Sequence, residues 1–215
     1  LAHGHEVAGD VVEIGSDVKD VKVGDRVWVW PYLPCFQCER CKKKDYWRCQ
    51  KGIKMAGVGL HGGFAEYVWV PVVVLPQEDV DIVPNVIKLP ETMSYHEGVL
   101  IEPVSVGYNA VRNAEANTHD VAVVLGAGII GLGTLVNLKV RSVPKVIVID
   151  VSQKRLQTAM ELGADLVLNP TEVDVGKQVR EETADGADII IETAGKPATF
   201  RQAIDMVRRF GKVMM

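Results

Sequence analysis

Cysteine is missing from all of this sequence except one stretch, "PCFQCERCKKKDYWRCQ" (residues 34–50), which holds all four thiols of the 215-residue chain. That excludes a framework of scattered bridges, the device of small secreted domains that lack a sufficient core. No apolar run approaches the roughly 18 residues of a membrane span. The N-terminus shows no basic segment followed by an apolar one, the pattern of a secretory leader. Positive charge is not in excess either: the net charge is −4, which argues against nucleic acid as the main partner. Internal repeats and low-complexity tracts are also absent. The expectation is a protein of the reducing cytoplasm with neither a membrane nor a nucleic acid as partner. With 47% apolar and 24% charged residues, the chain can fill one large domain or two modest ones without staples.

In a reducing compartment, clustered thiols serve as metal ligands or redox groups more often than as bridges. The spacing C-x2-C-x2-C-x7-C groups Cys35, Cys38, Cys41 and Cys49. Four thiolates satisfy one tetrahedral zinc at Zn–S distances near ~2.3 Å and leave no position for a substrate. Such a site folds a lobe and performs no reaction. Lys42, Lys43, Lys44 and Arg48 either offset the negative charge of a zinc-thiolate centre or form a solvated loop face.

Segments of strand character surround the lobe: His5 to Gly15, Asp25 to Trp30, and Phe64 to Pro71. Apolar residues alternating with polar ones between glycine turns predict half-buried antiparallel strands. Trp28 and Trp30, two apart, are expected on one face and in the core. The Pro-rich stretch from Val70 to Ser94 reads as a surface meander or an insertion shaping a cleft.

From about Glu91 the pattern changes. Met93 to Glu115 predicts helix, which Pro103 should split into two pieces. Alternating units follow: strand 121–125, helix 129–140, strand 145–149, helix 153–162, strand 165–168, helix 175–182, strand 188–191, helix 199–209, and a strand from Lys212 onward. Strands joined by helical crossovers imply a doubly wound parallel sheet. Within it, "VAVVLGAGIIGLGTLV" places Gly126, Gly128 and Gly131 after an apolar strand and at the opening of a helix, the context a dinucleotide fingerprint requires. The three glycines serve the tight turn, the close approach of a pyrophosphate, and helix–strand packing; Ile130 sits among them. Free N–H groups at the helix start suit that anion. Asp150 ends the next strand nineteen residues after Gly131, where a carboxylate accepts from both ribose hydroxyls and repels a 2′-phosphate. This favours NAD over NADP, although Lys154 and Arg155 could tolerate the phosphate or stack on adenine.

Together, "GHEVAGDVVEIG", "VKVGDRV", the four-cysteine lobe, "GGFAEYV", "EP" at Glu102 and Pro103, and "GAGIIG" resemble the zinc-dependent medium-chain alcohol dehydrogenase family, in family order and across essentially the whole chain. "GLHGGFAEYV", "IEPVSVGYNAV" and "DVSQKRLQTAMELGAD" are most similar to its polyol (sorbitol), butanediol and threonine dehydrogenase branch. The resemblance implies a GroES-like antiparallel β catalytic domain over 1–103 and a Rossmann NAD-binding domain over 104–215. It makes His5 a ligand of a catalytic zinc and Glu6 a ligand or close neighbour of it. Glu102 becomes the carboxylate that sits on the zinc or hydrogen-bonds its water. Read on the residues alone, His5 beside Glu6 could equally be a satisfied polar pair at a strand end. The remaining histidines, His3, His61, His96 and His119, are given no catalytic role.

The resemblance further implies hydride transfer from a secondary alcohol, whether polyol, vicinal diol or hydroxy-amino acid, to NAD, in a homodimer or homotetramer. One departure stands out. The family places a cysteine ligand of the catalytic zinc well upstream of "GHE", and here only four residues precede His5. The chain is therefore expected to be an internal fragment, short of one catalytic ligand. The competing reading is a non-enzymatic zinc protein that senses redox state or supports a partner interface.

Overall fold

The computed structural model describes residues 1–52, 54–71 and 85–215. The chain divides into two compact units, Leu1–Glu102 and Pro103–Met215.

In the first unit, strand β1 (Val7–Asp10) pairs antiparallel with β2 (Arg26–Val29). Val21, Val27 and Val86 form a small core beneath them, with Val11, Val18 and Val70 packed at its edge. Two short strands, β3 (Tyr32–Leu33) and β4 (Lys54–Ala56), flank the cysteine stretch, and β5 (Gly59–Leu60) extends their sheet. Between β3 and β4 lie the one-turn helix α1 (Glu39–Lys42) and a 3-10 turn at Tyr46–Arg48. A further strand, β6 (Val86–Lys88), completes the order β1-β2-β6. It falls inside the stretch from Val70 to Ser94 read from sequence as a meander, of which residues 72–84 lie outside the described residues.

Other expectations fail here as well. Phe64 to Pro71 forms no strand. Its first backbone donor, the Phe64 N–H, goes to the His3 carbonyl instead, and Phe64, Tyr67 and Trp69 are all exposed. Alternation yields a strand only where a partner edge is available. Trp28 is in the core, whereas Trp30 is half-buried in an aromatic group with Tyr32 and Trp47.

Helix α2 (Tyr95–Asn113) starts on a capping box. The Glu97 N–H donates to Ser94 Oγ, while Glu97 Oε2 accepts from the Ser94 N–H, so two unpaired donors are satisfied reciprocally. The helix runs through Pro103 unbroken. A proline costs ~3 kcal/mol in a helix interior, and packing on either side of it offsets that: Gly98 lies against Leu89 and Ala8, and Gly107 against the backbone of Gly133 and Thr134.

The second unit is a five-stranded parallel sheet. Its elements are β7 (Val121–Leu125), α3 (Ile129–Val140), β8 (Lys145–Ile149), α4 (Gln153–Glu161), β9 (Leu166–Leu168), α5 (Val175–Thr183), β10 (Ala187–Glu192), α6 (Pro197–Met206) and β11 (Val207–Met214). The order is β11-β10-β7-β8-β9. Strand alternation feeds two cores: Ala122, Val124, Val146, Val148, Ile189 and Ile191 face one way, and Val123, Leu125, Ile147, Ile149 and Ile190 the other. Helix α6 stops at Met206 rather than Arg209, and β11 starts five residues ahead of Lys212. Its pairing shifts between Ala187↔Val207 and Ile189↔Lys212. The surplus residues bulge outward, with Phe210 in the left-handed region and fully exposed. Helical periodicity cannot foresee such a bulge.

Candidate metal centres and dinucleotide turn

The four cysteines meet at one point. Their Sγ atoms lie within 4.8 Å of one another, and Cys35 Sγ is 3.9 Å from Cys41 Sγ. A tetrahedron with Zn–S of ~2.3 Å has S···S edges of about 3.8 Å, so the spacing suits a metal. It is far from the ~2.05 Å of a disulfide, and all four thiols are free. Local structure explains the convergence: Cys38 caps α1, Cys41 sits inside it, and Cys49 follows the 3-10 turn. Backbone N–H groups of Cys41 and Gln50 lower the Cys38 thiol to about 6. Burial pushes Cys41 up to about 12, helped by hydrogen bonds from the neighbouring thiols. A dication at the centre would relieve that conflict by favouring four thiolates.

A second donor group comprises His5, Glu6 and Glu102, again with one ligand atom each inside 4.8 Å. His5 Nε2 is 3.9 Å from Glu102 Oε2. Glu102 is buried, His5 half-buried and Glu6 exposed. Burial raises the Glu102 carboxyl above the usual range, against His5, which lowers it, while the Glu6 carboxylate adds to the rise. A buried acid beside a like charge is the environment in which a metal or a mobile proton is accommodated. Backbone close packing holds this arrangement. Gly4 has φ +91°, the Gly62 N–H donates to the Ala2 carbonyl, and a Cβ on Gly62 would lie 2.1 Å from the Gly4 oxygen. Imidazole and carboxylate are both competent zinc ligands, and a catalytic zinc site keeps one position open. Tyr32, absent from the sequence reading, is electrostatically coupled to this site: burial raises its phenol, and the Glu102 carboxylate raises it further.

In the second unit, Gly126 follows β7 with φ +99°, and Gly128 caps α3. Gly131 admits no side chain, since a Cβ there would sit 1.8 Å from the Gly126 carbonyl oxygen. Ile130 lies in the first turn of α3, half-buried. Asp150 is buried, and both its oxygens accept backbone N–H groups: Ala127 at 2.7 Å and Ser152 at 2.8 Å. Arg155 Nη1 is 3.9 Å away. Each carboxylate oxygen retains a second lone pair for a ribose hydroxyl. Thr193, just past the end of β10, also holds this turn, and Glu192 before it anchors the loop that follows; sequence reasoning passed them over. Their signal was positional: in open α/β sheets, ligands bind beyond the carboxyl ends of strands where the order reverses.

Comparison with known proteins follows the same division. Residues 1–79 match the alcohol dehydrogenase GroES-like domain and residues 130–215 the zinc-binding dehydrogenase family. The chain belongs to the zinc-dependent medium-chain alcohol dehydrogenase family. Within that family, sorbitol dehydrogenase of Arabidopsis thaliana and (R,R)-butanediol dehydrogenase of Bacillus subtilis are each 36% identical over 99% of this chain. The chain spans 57% of the length of either. An Escherichia coli CFT073 alcohol dehydrogenase solved with NADH has a TM-score of 0.83 at 31% identity, covering 98% of this chain and 59% of that one. A zinc-binding dehydrogenase of Sinorhizobium meliloti 1021 bound to NADP has a TM-score of 0.85 at 28% identity, with coverage of 98% and 59%. The GroES-like and Rossmann architectures thus agree with the two units described above. No helix among the described residues is long and apolar enough to cross a membrane.

Proposed function

We propose that this chain carries the zinc and NAD sites of an oxidoreductase that oxidises a secondary alcohol, its substrates being polyols, vicinal diols or hydroxy-amino acids. The observation that carries the reading is the convergence of His5, Glu6 and Glu102 on one point, in a chain that also carries a glycine turn braced by a buried aspartate. When bound, zinc would supply Lewis acidity to an alcohol oxygen, and NAD would accept the hydride.

The chain's own residues supply position and proton handling. Cys35, Cys38, Cys41 and Cys49 hold the structural zinc and fold the lobe. His5 and one carboxylate hold the second metal, and the other carboxylate takes up or releases a proton. Burial keeps Glu102 readier to hold a proton than an ordinary glutamate, which suits it to that exchange. Gly126, Gly128, Ile130 and Gly131 receive the pyrophosphate at the start of α3, Asp150 receives the ribose, and Arg155 borders it. The buried carboxylate of Asp150 supports NAD over NADP. The same reading extends to a homodimer or homotetramer in the cytoplasm, which rests on the family likeness. Nothing in the comparisons favours the non-enzymatic alternative.

The test is binding of NADH and NADPH, followed by fluorescence, to this chain and to Asp150→Ala. The expected result is NADH bound tighter than NADPH, with NADH affinity falling roughly tenfold or more in the variant, as for loss of a charged hydrogen bond. Unchanged NADH affinity in Asp150→Ala would overturn the assignment.

A further inference from the structure

We infer that Thr193 is a positioning residue for the dinucleotide, locking the glycine turn from the side opposite Asp150. The inference deepens the proposed NAD site and rests on that reading. Strand order in the second unit reverses between β7 and β10, and the crevice for a ligand opens beyond the carboxyl ends of those two strands. The glycine turn leaves one and Thr193 leaves the other. Thr193 Oγ1 lies 2.9 Å from the Leu125 carbonyl oxygen and 3.0 Å from that of Gly126, while the Thr193 N–H donates to the Leu125 carbonyl. The hydroxyl has a single proton, so it is shared between two carbonyls at the point where the chain leaves β7.

The same oxygen fills the space that the glycines keep open. A Cβ on Gly126 would come within 3.0 Å of Thr193 Oγ1, and one on Gly131 within 2.9 Å. Gly126 and Gly131 therefore close around one side chain. Thr193 is itself held. The preceding Glu192 turns its carboxylate onto its own backbone, accepting from the N–H groups of Ala194 at 2.9 Å and Gly195 at 3.0 Å, and lies 2.8 Å from Thr199 Oγ1. Asp150 fixes the Ala127 N–H, and Thr193 fixes the Gly126 carbonyl. The peptide unit joining Gly126 to Ala127 is thus gripped at both polar ends. That unit leads directly into the N–H groups at the start of α3, where a pyrophosphate is received.

The experiment compares the unmodified chain with Thr193→Val, which keeps the shape and removes the donor, and Thr193→Ser, which keeps the donor. Two readouts are taken: NADH affinity by fluorescence titration, and hydrogen–deuterium exchange of residues 126–131 without cofactor. The expected result for Thr193→Val is roughly tenfold weaker NADH binding, the size of one hydrogen bond, with faster exchange in the turn. Thr193→Ser should stay within about twofold on both. The inference is overturned if Thr193→Val exchanges and binds as the unmodified chain does, or if Thr193→Ser is as impaired as Thr193→Val. If the unmodified chain binds no NADH, the proposed cofactor reading falls, and the exchange comparison still decides whether the hydroxyl locks the turn. Should Thr193→Val not fold, Thr193→Ala takes its place in both readouts.

Discussion

Two donor groups in the same unit are built in opposite ways. The cysteine lobe draws its ligands from fifteen consecutive residues, Cys35 to Cys49, and one short helix and a 3-10 turn bring them together. The group of His5, Glu6 and Glu102 draws its members from the two ends of the unit, and the backbone of residues 2–4, just before His5, is laid against residues 62–64. The lobe needs a short loop and a metal. The second site needs the whole unit folded, so it is the one that remote changes can destroy.

Mutations can break this contrast from either side. The largest effect should follow Cys41→Ser. Structural zinc in small peptides contributes about 10–16 kcal/mol, so loss of one thiolate should release the lobe's metal and open residues 34–50 to protease. Zinc analysis and limited proteolysis would register both, and retention of the full metal content would count against the lobe as a zinc site. Next comes Gly62→Ala, which touches no ligand. The new Cβ would collide with the Gly4 carbonyl oxygen beside His5, at a cost of a few kcal/mol in backbone displacement. It should empty the second site while the cysteine lobe stays loaded; loss of both metals, or of neither, would break the comparison.

The smallest effect is one of pH. Burial raises the Glu102 carboxyl in the folded protein, so with the second site emptied the folded state holds a proton that the unfolded chain has released. Stability should therefore fall as pH rises from the ordinary glutamate range through the raised value. Glu102→Gln should remove that fall. Urea midpoints against pH for the two proteins would reveal it, and parallel curves would contradict it.

The same contrast explains what the sequence made legible. Cysteine spacing and the glycine fingerprint are local, so the lobe and the turn could be read directly, as could the alternation of β7 to β10 with their helices. Convergence of His5 with Glu102 has no local signal, and only resemblance suggested it. Strand β6 was missed and Phe64 to Pro71 was misread because pairing depends on which edge is free, not on the segment itself. Pro103 was expected to split α2, since the residue carries its own penalty in its chemistry while the packing around Gly98 and Gly107 that offsets it is tertiary. Thr193 looks like an ordinary polar residue after a strand. Only its two carbonyl partners reveal what it holds.

The most direct test of the account is zinc content per chain by elemental analysis, on the unmodified protein, Cys41→Ser and Glu102→Gln. The account predicts two zinc ions, one lost with Cys41→Ser and the other, more weakly held, lost with Glu102→Gln. A chain that binds no zinc, or a second ion that persists unchanged in Glu102→Gln, would contradict it.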